Sequence, residues 1–272
     1  MTSPLKVFQG EQHADFLVEC GQPAALLIHG FPGTPAEMRP LASLLNSAGW
    51  TTRGLLLPGF GAQIESLFQR RAHEWIEAAV DALRSLQASH DPVVVIGYSL
   101  GAAIAIHAAT RLKPDQLILL APFWQLGTRG QRVMFLIAKP LVRQVRPFSR
   151  ANLNDPRLHS FLNQFLQDAD LADPGVQQLI RRAKVPVELF EQIHALGQQA
   201  YQLAAQIDRP ALILQGRRDP VVKPDLTQQL ARQFAGSIDT VEIDAQHHLI
   251  DPALPDWPRL ERAVREFISR AV

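Results

Sequence analysis

Cysteine is almost absent from this chain: Cys20 stands alone. A single thiol excludes an internal disulfide framework and a cysteine-based zinc site. Also lacking is any apolar run approaching the roughly 18 residues that a membrane span requires. Neither charge dominates, since 27 Lys and Arg face 26 Asp and Glu, so no global field recruits nucleic acid. The opening residues, Met1-Thr2-Ser3-Pro4-Leu5-Lys6, lead into a mixed polar stretch without an apolar signal-peptide core. No HExxH pattern, sequence repeat or low-complexity tract occurs. These absences predict a soluble, cytoplasmic protein with no nucleic-acid partner. What is present is ordinary globular composition: 272 residues, 47% hydrophobic and 19% charged. That excludes a disordered chain and leaves room for one large domain or two small ones.

Short apolar runs alternate with longer amphipathic stretches. The runs Ala24–Ile28, Thr51–Leu57, Val93–Ile96, Gln116–Ala121, Ala211–Leu214 and Thr240–Ile243 are mostly apolar on successive residues. That pattern predicts strands buried on both faces of a parallel sheet. Helical patterns fall at Pro35–Ala48, His73–Ala88, Leu100–Arg111, Asp225–Ala235 and Asp256–Arg270. In the last of these, Leu260, Val264, Phe267 and Ile268 recur at helical spacing. The alternation predicts an open α/β sheet built by right-handed crossovers and covered on both sides. The segment Lys6–Glu19 could add antiparallel strands at one edge.

Between Pro122 and Ile207 the alternation stops. That stretch holds no convincing strand, and Pro140, Pro147, Pro156, Pro174 and Pro186 punctuate it. It is expected to be a helical cap, 122–207, inserted into a core of 1–121 and 208–272, over the strand ends where open α/β sheets bind ligands.

The sharpest chemical signal is Gly97-Tyr98-Ser99-Leu100-Gly101, between the strand Val93–Ile96 and the helix beginning at Leu100. An abrupt strand-to-helix turn strains its middle residue and projects the side chain freely, while flanking glycines allow the close packing. A helix N-terminus also directs unpaired N–H groups at the serine. A serine hydroxyl is a weak nucleophile near neutral pH and needs a base with a group to orient it. Gln215-Gly216-Arg217-Arg218-Asp219-Pro220 places Asp219 in a turn after one strand. The alternative acid position, Pro122-Phe123-Trp124-Gln125, contains no carboxylate. After the last strand, Ala245-Gln246-His247-His248-Leu249-Ile250 offers two candidate bases. The order Ser…Asp…His is the one this elbow arrangement requires. His29-Gly30-Phe31-Pro32-Gly33 is a glycine-containing loop at a strand end. It can present the Phe31 N–H, beside the Leu100 N–H, to a developing oxyanion. His29 is expected to support this loop by hydrogen bonding.

These blocks resemble the α/β-hydrolase superfamily over nearly the whole chain outside the cap. More narrowly, they are similar to bacterial carboxylesterases and monoacylglycerol lipases. The resemblance implies an α/β-hydrolase fold and a serine hydrolase that cleaves esters with aliphatic acyl chains through an acyl-enzyme on Ser99. It also implies that His247 takes a glycine position and His248 is the base. Phe31 and Leu100 then match the oxyanion donors, and Phe60, Tyr98, Phe123 and Trp124 are candidate pocket residues. No metal or organic cofactor is implied. At Leu57-Pro58-Gly59-Phe60-Gly61 the chain has Phe where the family often has His. Thioester or C–C bond hydrolysis would use the same triad, and a binding module for a hydrophobic ligand is the non-catalytic alternative.

The cap sequence interleaves Arg129, Arg132, Lys139, Arg143, Arg146, Arg150 and Arg157 with the apolar run Val133–Ala138. A lid with an apolar underside and solvated basic residues accounts for this pattern. Attraction to anionic lipid surfaces is the second reading.

Overall fold

The computed structural model describes residues 8, 10–125, 144–146, 148–153, 155, 171–182 and 184–271. The main sheet contains β1 (Phe16–Val18), β2 (Ala24–Ile28), β3 (Thr51–Leu55), β4 (Val93–Tyr98), β5 (Gln116–Leu120), β8 (Ala211–Gly216) and β9 (Ile238–Ile243). A two-stranded pair, β6 (Gln144–Val145) and β7 (Val185–Pro186), lies outside it. Helices follow as α1 (Arg39–Asn46), α2 (Ala72–Gln87), α3 (Leu100–Leu112), α4 (Pro174–Arg182), α5 (Val187–Leu203), α6 (Pro224–Ala231) and α7 (Trp257–Ile268).

The main sheet has the order β1-β3-β2-β4-β5-β8-β9. Only β1 is antiparallel, pairing Leu17 with Arg53 at the edge, as the segment before Glu19 allowed. Alternate side chains of each central strand enter opposite cores. Leu26, Ile28 and Val95 join the cluster under α2 and α3, whereas Leu27, Val94 and Ile96 pack with α1 and α7. Burial on both faces explains why these strands are apolar at successive positions. Helix α3 is buried along almost its whole length, the small residues Ala102, Ala103 and Ala105 included. In α7, Leu260, Val264, Phe267 and Ile268 form the buried stripe anticipated from their spacing.

From β2 the chain goes to β3 on one side, and then crosses to β4 on the other. Ile28 of β2 is level with Gly97 of β4, so the turns leaving both strands open beside one another. Such a reversal of strand order marks the carboxyl ends as the usual ligand position in open α/β sheets.

Within 122–207, residues 126–143 and 156–170 of the expected cap lie outside the described residues. The described parts depart from the sequence expectation in one respect. Gln144 pairs with Pro186 and Val145 with Val185, a strand pair where none was anticipated. Two residues per strand are too few to carry a periodic signal. Leu153, Leu171 and Ile180 form a small cluster separate from the two main cores. Helix α5 packs against α3 through Leu189, Ile193, Leu196 and Ala200, and His107 Nε2 lies 3.1 Å from the Leu196 carbonyl oxygen.

Candidate active site

Ser99 lies between the last residue of β4 and the first of α3, with φ 51° and ψ −112°. Positive φ is strained for a residue with a Cβ. The surroundings hold it there: the Ser99 N–H donates to the Leu120 carbonyl at 2.9 Å, and its own carbonyl accepts from Ala102 and Phe123. A Cβ on Gly97 would collide with the backbone of Gly101 and Ala102, and one on Gly101 with the carbonyl oxygens of Ile28 and His29. The elbow therefore needs both glycines for close packing.

Asp219 lies in the turn after β8, its side chain wholly enclosed. Its Oδ1 accepts the N–H groups of Val221 (2.8 Å) and Val222 (2.9 Å). Its Oδ2 faces the amide nitrogen of Gln215 at 3.4 Å and Nδ1 of His247 at 2.7 Å. The structure thus brings Asp219 together with His247, whereas the sequence expectation paired it with His248. The cause is the junction of β8 and β9. Gly216 is level with Ile243, Arg217 donates to the Ile243 carbonyl and Arg218 to the Ala245 carbonyl. Gly216 also packs so closely on the Gln246 carbonyl that a Cβ would not fit. With 243–246 fastened along the end of β8, the next residue, His247, reaches the Asp219 turn. His248 is one step further; burial pushes its imidazole below the ordinary range, opposed by Asp251 and reinforced by His247.

The carboxylate at Nδ1 fixes that nitrogen as the one bearing hydrogen and leaves Nε2 of His247 as the basic atom. Tyr98 stands between the two loops. Its hydroxyl donates to the His247 carbonyl at 3.2 Å, and its ring centre lies 5.3 Å from that of His247.

The loop after β2 passes over the serine: a Cβ on Gly30 would lie 3.3 Å from the Ser99 Cβ. His29 is fully buried, and burial lowers its imidazole to about 4, with the bond to Gly30 opposing. It is therefore neutral. Its Nε2 accepts the Leu57 N–H at 3.1 Å, so Nδ1 carries the hydrogen and donates to the Gly30 carbonyl at 2.8 Å. A trans peptide points its N–H opposite to its C=O. Fixing the Gly30 carbonyl consequently fixes the direction of the Phe31 N–H. Leu100 opens α3, where a first-turn N–H has no acceptor within the helix.

The family described as serine aminopeptidase, S33, matches residues 22–250, which include all of these elements. The chain belongs to this Hydrolase_4 family. It is similar to a thermostable monoacylglycerol lipase from Bacillus sp. (strain H-257), 26% identical over 212 residues, 77% of this chain and 75% of the relative. It is also similar to a pimeloyl-[acyl-carrier protein] methyl ester esterase from Neisseria meningitidis serogroup C, 30% identical over 233 residues, 81% of this chain and 85% of that one. Among solved structures, a metagenome-derived lipolytic enzyme from work on LipS and LipT superposes with a TM-score of 0.73 at 20% identity, covering 96% of this chain and 98% of that one. The fold is the α/β-hydrolase fold.

In this Hydrolase_4 protein the four candidate pocket residues are buried. Phe60 has no exposed surface and meets the rings of His29, Phe31 and Trp75 edge-on. Trp124 stacks on Tyr201, and its indole N–H donates to the Leu226 carbonyl at 2.8 Å. Phe123 donates its backbone N–H to Ser99. Three contacts around these residues lay beyond the sequence reading: Gln215 against Asp219, the Tyr98 hydroxyl on the His247 carbonyl, and the Glu37 carboxyl on the Gly30 N–H. Each depends on a long-range approach or a turn geometry that no short motif encodes. Among the described residues, no group of three or more His, Cys, Asp or Glu could hold a metal ion, and no helix is long and apolar enough to cross a membrane.

Proposed function

We propose that this chain is a serine hydrolase of carboxylic esters with aliphatic acyl chains, acting through Ser99, His247 and Asp219. The observations that carry the proposal are the 2.7 Å contact of Asp219 with His247 and a serine held at a strained strand-to-helix turn, whose chain neighbour Tyr98 donates its hydroxyl to the His247 carbonyl. The names of the relatives, a monoacylglycerol lipase and a methyl ester esterase, support ester substrates over the peptides in the family's description.

In the proposed reaction, His247 Nε2 takes the Ser99 proton as Oγ attacks the ester carbonyl carbon. Asp219 stabilises the imidazolium that forms and holds its orientation. The N–H groups of Phe31 and Leu100 donate to the tetrahedral oxyanion; one such donor is typically worth about 10²–10³ in kcat. The C–O bond then breaks, the alcohol leaves with the proton from His247, and water releases the acyl group by the same steps. We place the cap, 122–207, over this site as the wall of an apolar acyl pocket.

Hydrolysis of p-nitrophenyl esters with two to sixteen acyl carbons, wild type beside Ser99→Ala, tests the proposal. The expected result is turnover that the substitution abolishes, with one chain length preferred. Turnover that survives Ser99→Ala refutes it, as does inertness towards every ester together with hydrolysis of acyl-CoA.

A further inference from the structure

One buried acid takes no part in the proton transfers above. Glu37 belongs to the short 3-10 turn Pro35–Met38 that follows the His29–Gly33 loop. Thr34 caps this turn, accepting the Ala36 N–H at 3.4 Å with its Oγ1, and its carbonyl accepts the Glu37 N–H at 3.2 Å. The same Thr34 hydroxyl is 2.8 Å from Nδ1 of buried His13. The turn is thus anchored from a second segment. Glu37 retains some residue surface, but its carboxyl group is enclosed by the loop. The Gly30 N–H donates to its Oε1 at 2.5 Å. A Cβ on Gly33 would lie 2.5 Å from both carboxyl oxygens. The loop is therefore wrapped around the carboxyl group, touching it at both of its glycines.

The two sides of Gly30 are then held independently. His29 takes its carbonyl and Glu37 takes its N–H. Two consecutive peptide planes are fixed, and the second bears the Phe31 N–H. We propose that Glu37 is a positioning residue for oxyanion stabilisation, its carboxyl group fixing the Gly30 N–H so that Phe31 is aimed at the reacting carbonyl. This rests on the serine-hydrolase reading, because it needs an oxyanion beside Phe31.

A charged carboxylate one peptide from that N–H would oppose the developing negative charge. Burial, opposed by the Gly30 bond, raises Glu37 to about 8, so the group is neutral at pH 7. The titratable groups around it are consistent with this. His29 is neutral, Tyr98 on β4 is raised well above its ordinary value by burial and then by Glu37 and Asp219, and His13 binds Thr34. Arg39, the nearest cation in sequence, turns away to the carbonyl oxygens of Gln12 and Glu11.

The test measures kcat and KM for one p-nitrophenyl ester from pH 6 to 10 in wild type, Glu37→Leu, Glu37→Gln and Ser99→Ala. Leucine cannot accept the Gly30 N–H, and kcat is expected to fall about 10–100-fold with KM changed less than about threefold. Glutamine keeps an acceptor without an ionisable group. It is expected to restore kcat at pH 7 to within about threefold, and to lack the decline above pH about 8 that is expected of wild type. Undiminished kcat in Glu37→Leu would overturn the proposal, as would a decline above pH 8 that persists in Glu37→Gln. Should the leucine variant fail to fold, the glutamine profile decides alone. Turnover that survives Ser99→Ala would instead sink the serine-hydrolase reading, whatever Glu37 does.

Discussion

Asp219 gains its orientation from a neighbour as much as from its own turn. The Gln215 amide nitrogen lies 3.4 Å from Asp219 Oδ2 and also donates to the Val222 carbonyl at 2.9 Å, while its Oε1 accepts the Thr227 hydroxyl at 2.6 Å. Gln215 is thereby the tie between strand β8, the acid turn and helix α6. Replacing it by leucine leaves the Thr227 hydroxyl and the Val222 carbonyl buried without that partner. Gln215→Leu is expected to lower the urea-unfolding free energy by about 2–3 kcal/mol, because unsatisfied buried polar groups cost about 1–3 kcal/mol each. It should also reduce kcat more than it raises KM, since Asp219 would lose a side-chain restraint. An unchanged midpoint and slope in urea would contradict the role given to this side chain. The motif around Asp219 was legible because Gly216-Arg217-Arg218-Asp219 follows an apolar strand. The identity of its histidine was not. His247 and His248 are equivalent to pattern reasoning, and the fastening of 243–246 along the end of β8 decides which one arrives.

At the scale of elements, the elbow is a junction of three backbones. The end of β4 and the first turn of α3 meet the end of β2, where Gly101 touches the Ile28 and His29 carbonyl groups. A side chain at 101 cannot be absorbed by rotating a neighbour, since the atoms met are backbone. Gly101→Ala is expected to cost about 3 kcal/mol or more, through displacement of β2 from α3. Its effect would reach the His29 loop as well as Ser99, so activity should fall further than stability alone explains. Thermal unfolding within about 1 °C of wild type would refute this packing account. The core strands and helices were legible because each central strand is apolar at successive residues and helices such as α2 and α7 carry an apolar stripe. Boundaries moved where the signal is not apolar periodicity. The helical pattern at Pro35–Ala48 is a 3-10 turn followed by α1, because the cap at Thr34 tightens its first residues. The β6–β7 pair went unread because its four residues include Pro186, which is poorly suited to a strand.

Two buried groups give the whole molecule opposing responses to pH. His29 is lowered from 6.5 to about 4, so the folded state refuses a proton that the unfolded chain accepts below about pH 6.5. Stability from this group is present above 6.5 and is lost as pH falls towards 4. Glu37 is raised from 4.5 to about 8, so its contribution is full below 4.5 and is lost as pH rises through 8. Each effect amounts to a few kcal/mol at its limit. Glu37→Gln removes the second slope. The unfolding free energy of that variant, relative to wild type, is therefore expected to increase between pH 5 and 8; a constant difference would contradict the enclosure of the carboxyl group. These terms act through the same loop that faces Ser99, so stability and rate share their titrating groups. The central claim is that Ser99 is activated by His247, and covalent labelling with a fluorophosphonate tests it most directly. Mass analysis of the labelled protein should find the adduct on Ser99 in wild type and in His248→Ala, and a labelling rate reduced about a thousandfold or more in His247→Ala. Rapid labelling that persists in His247→Ala, or an adduct on a residue other than Ser99, would contradict it.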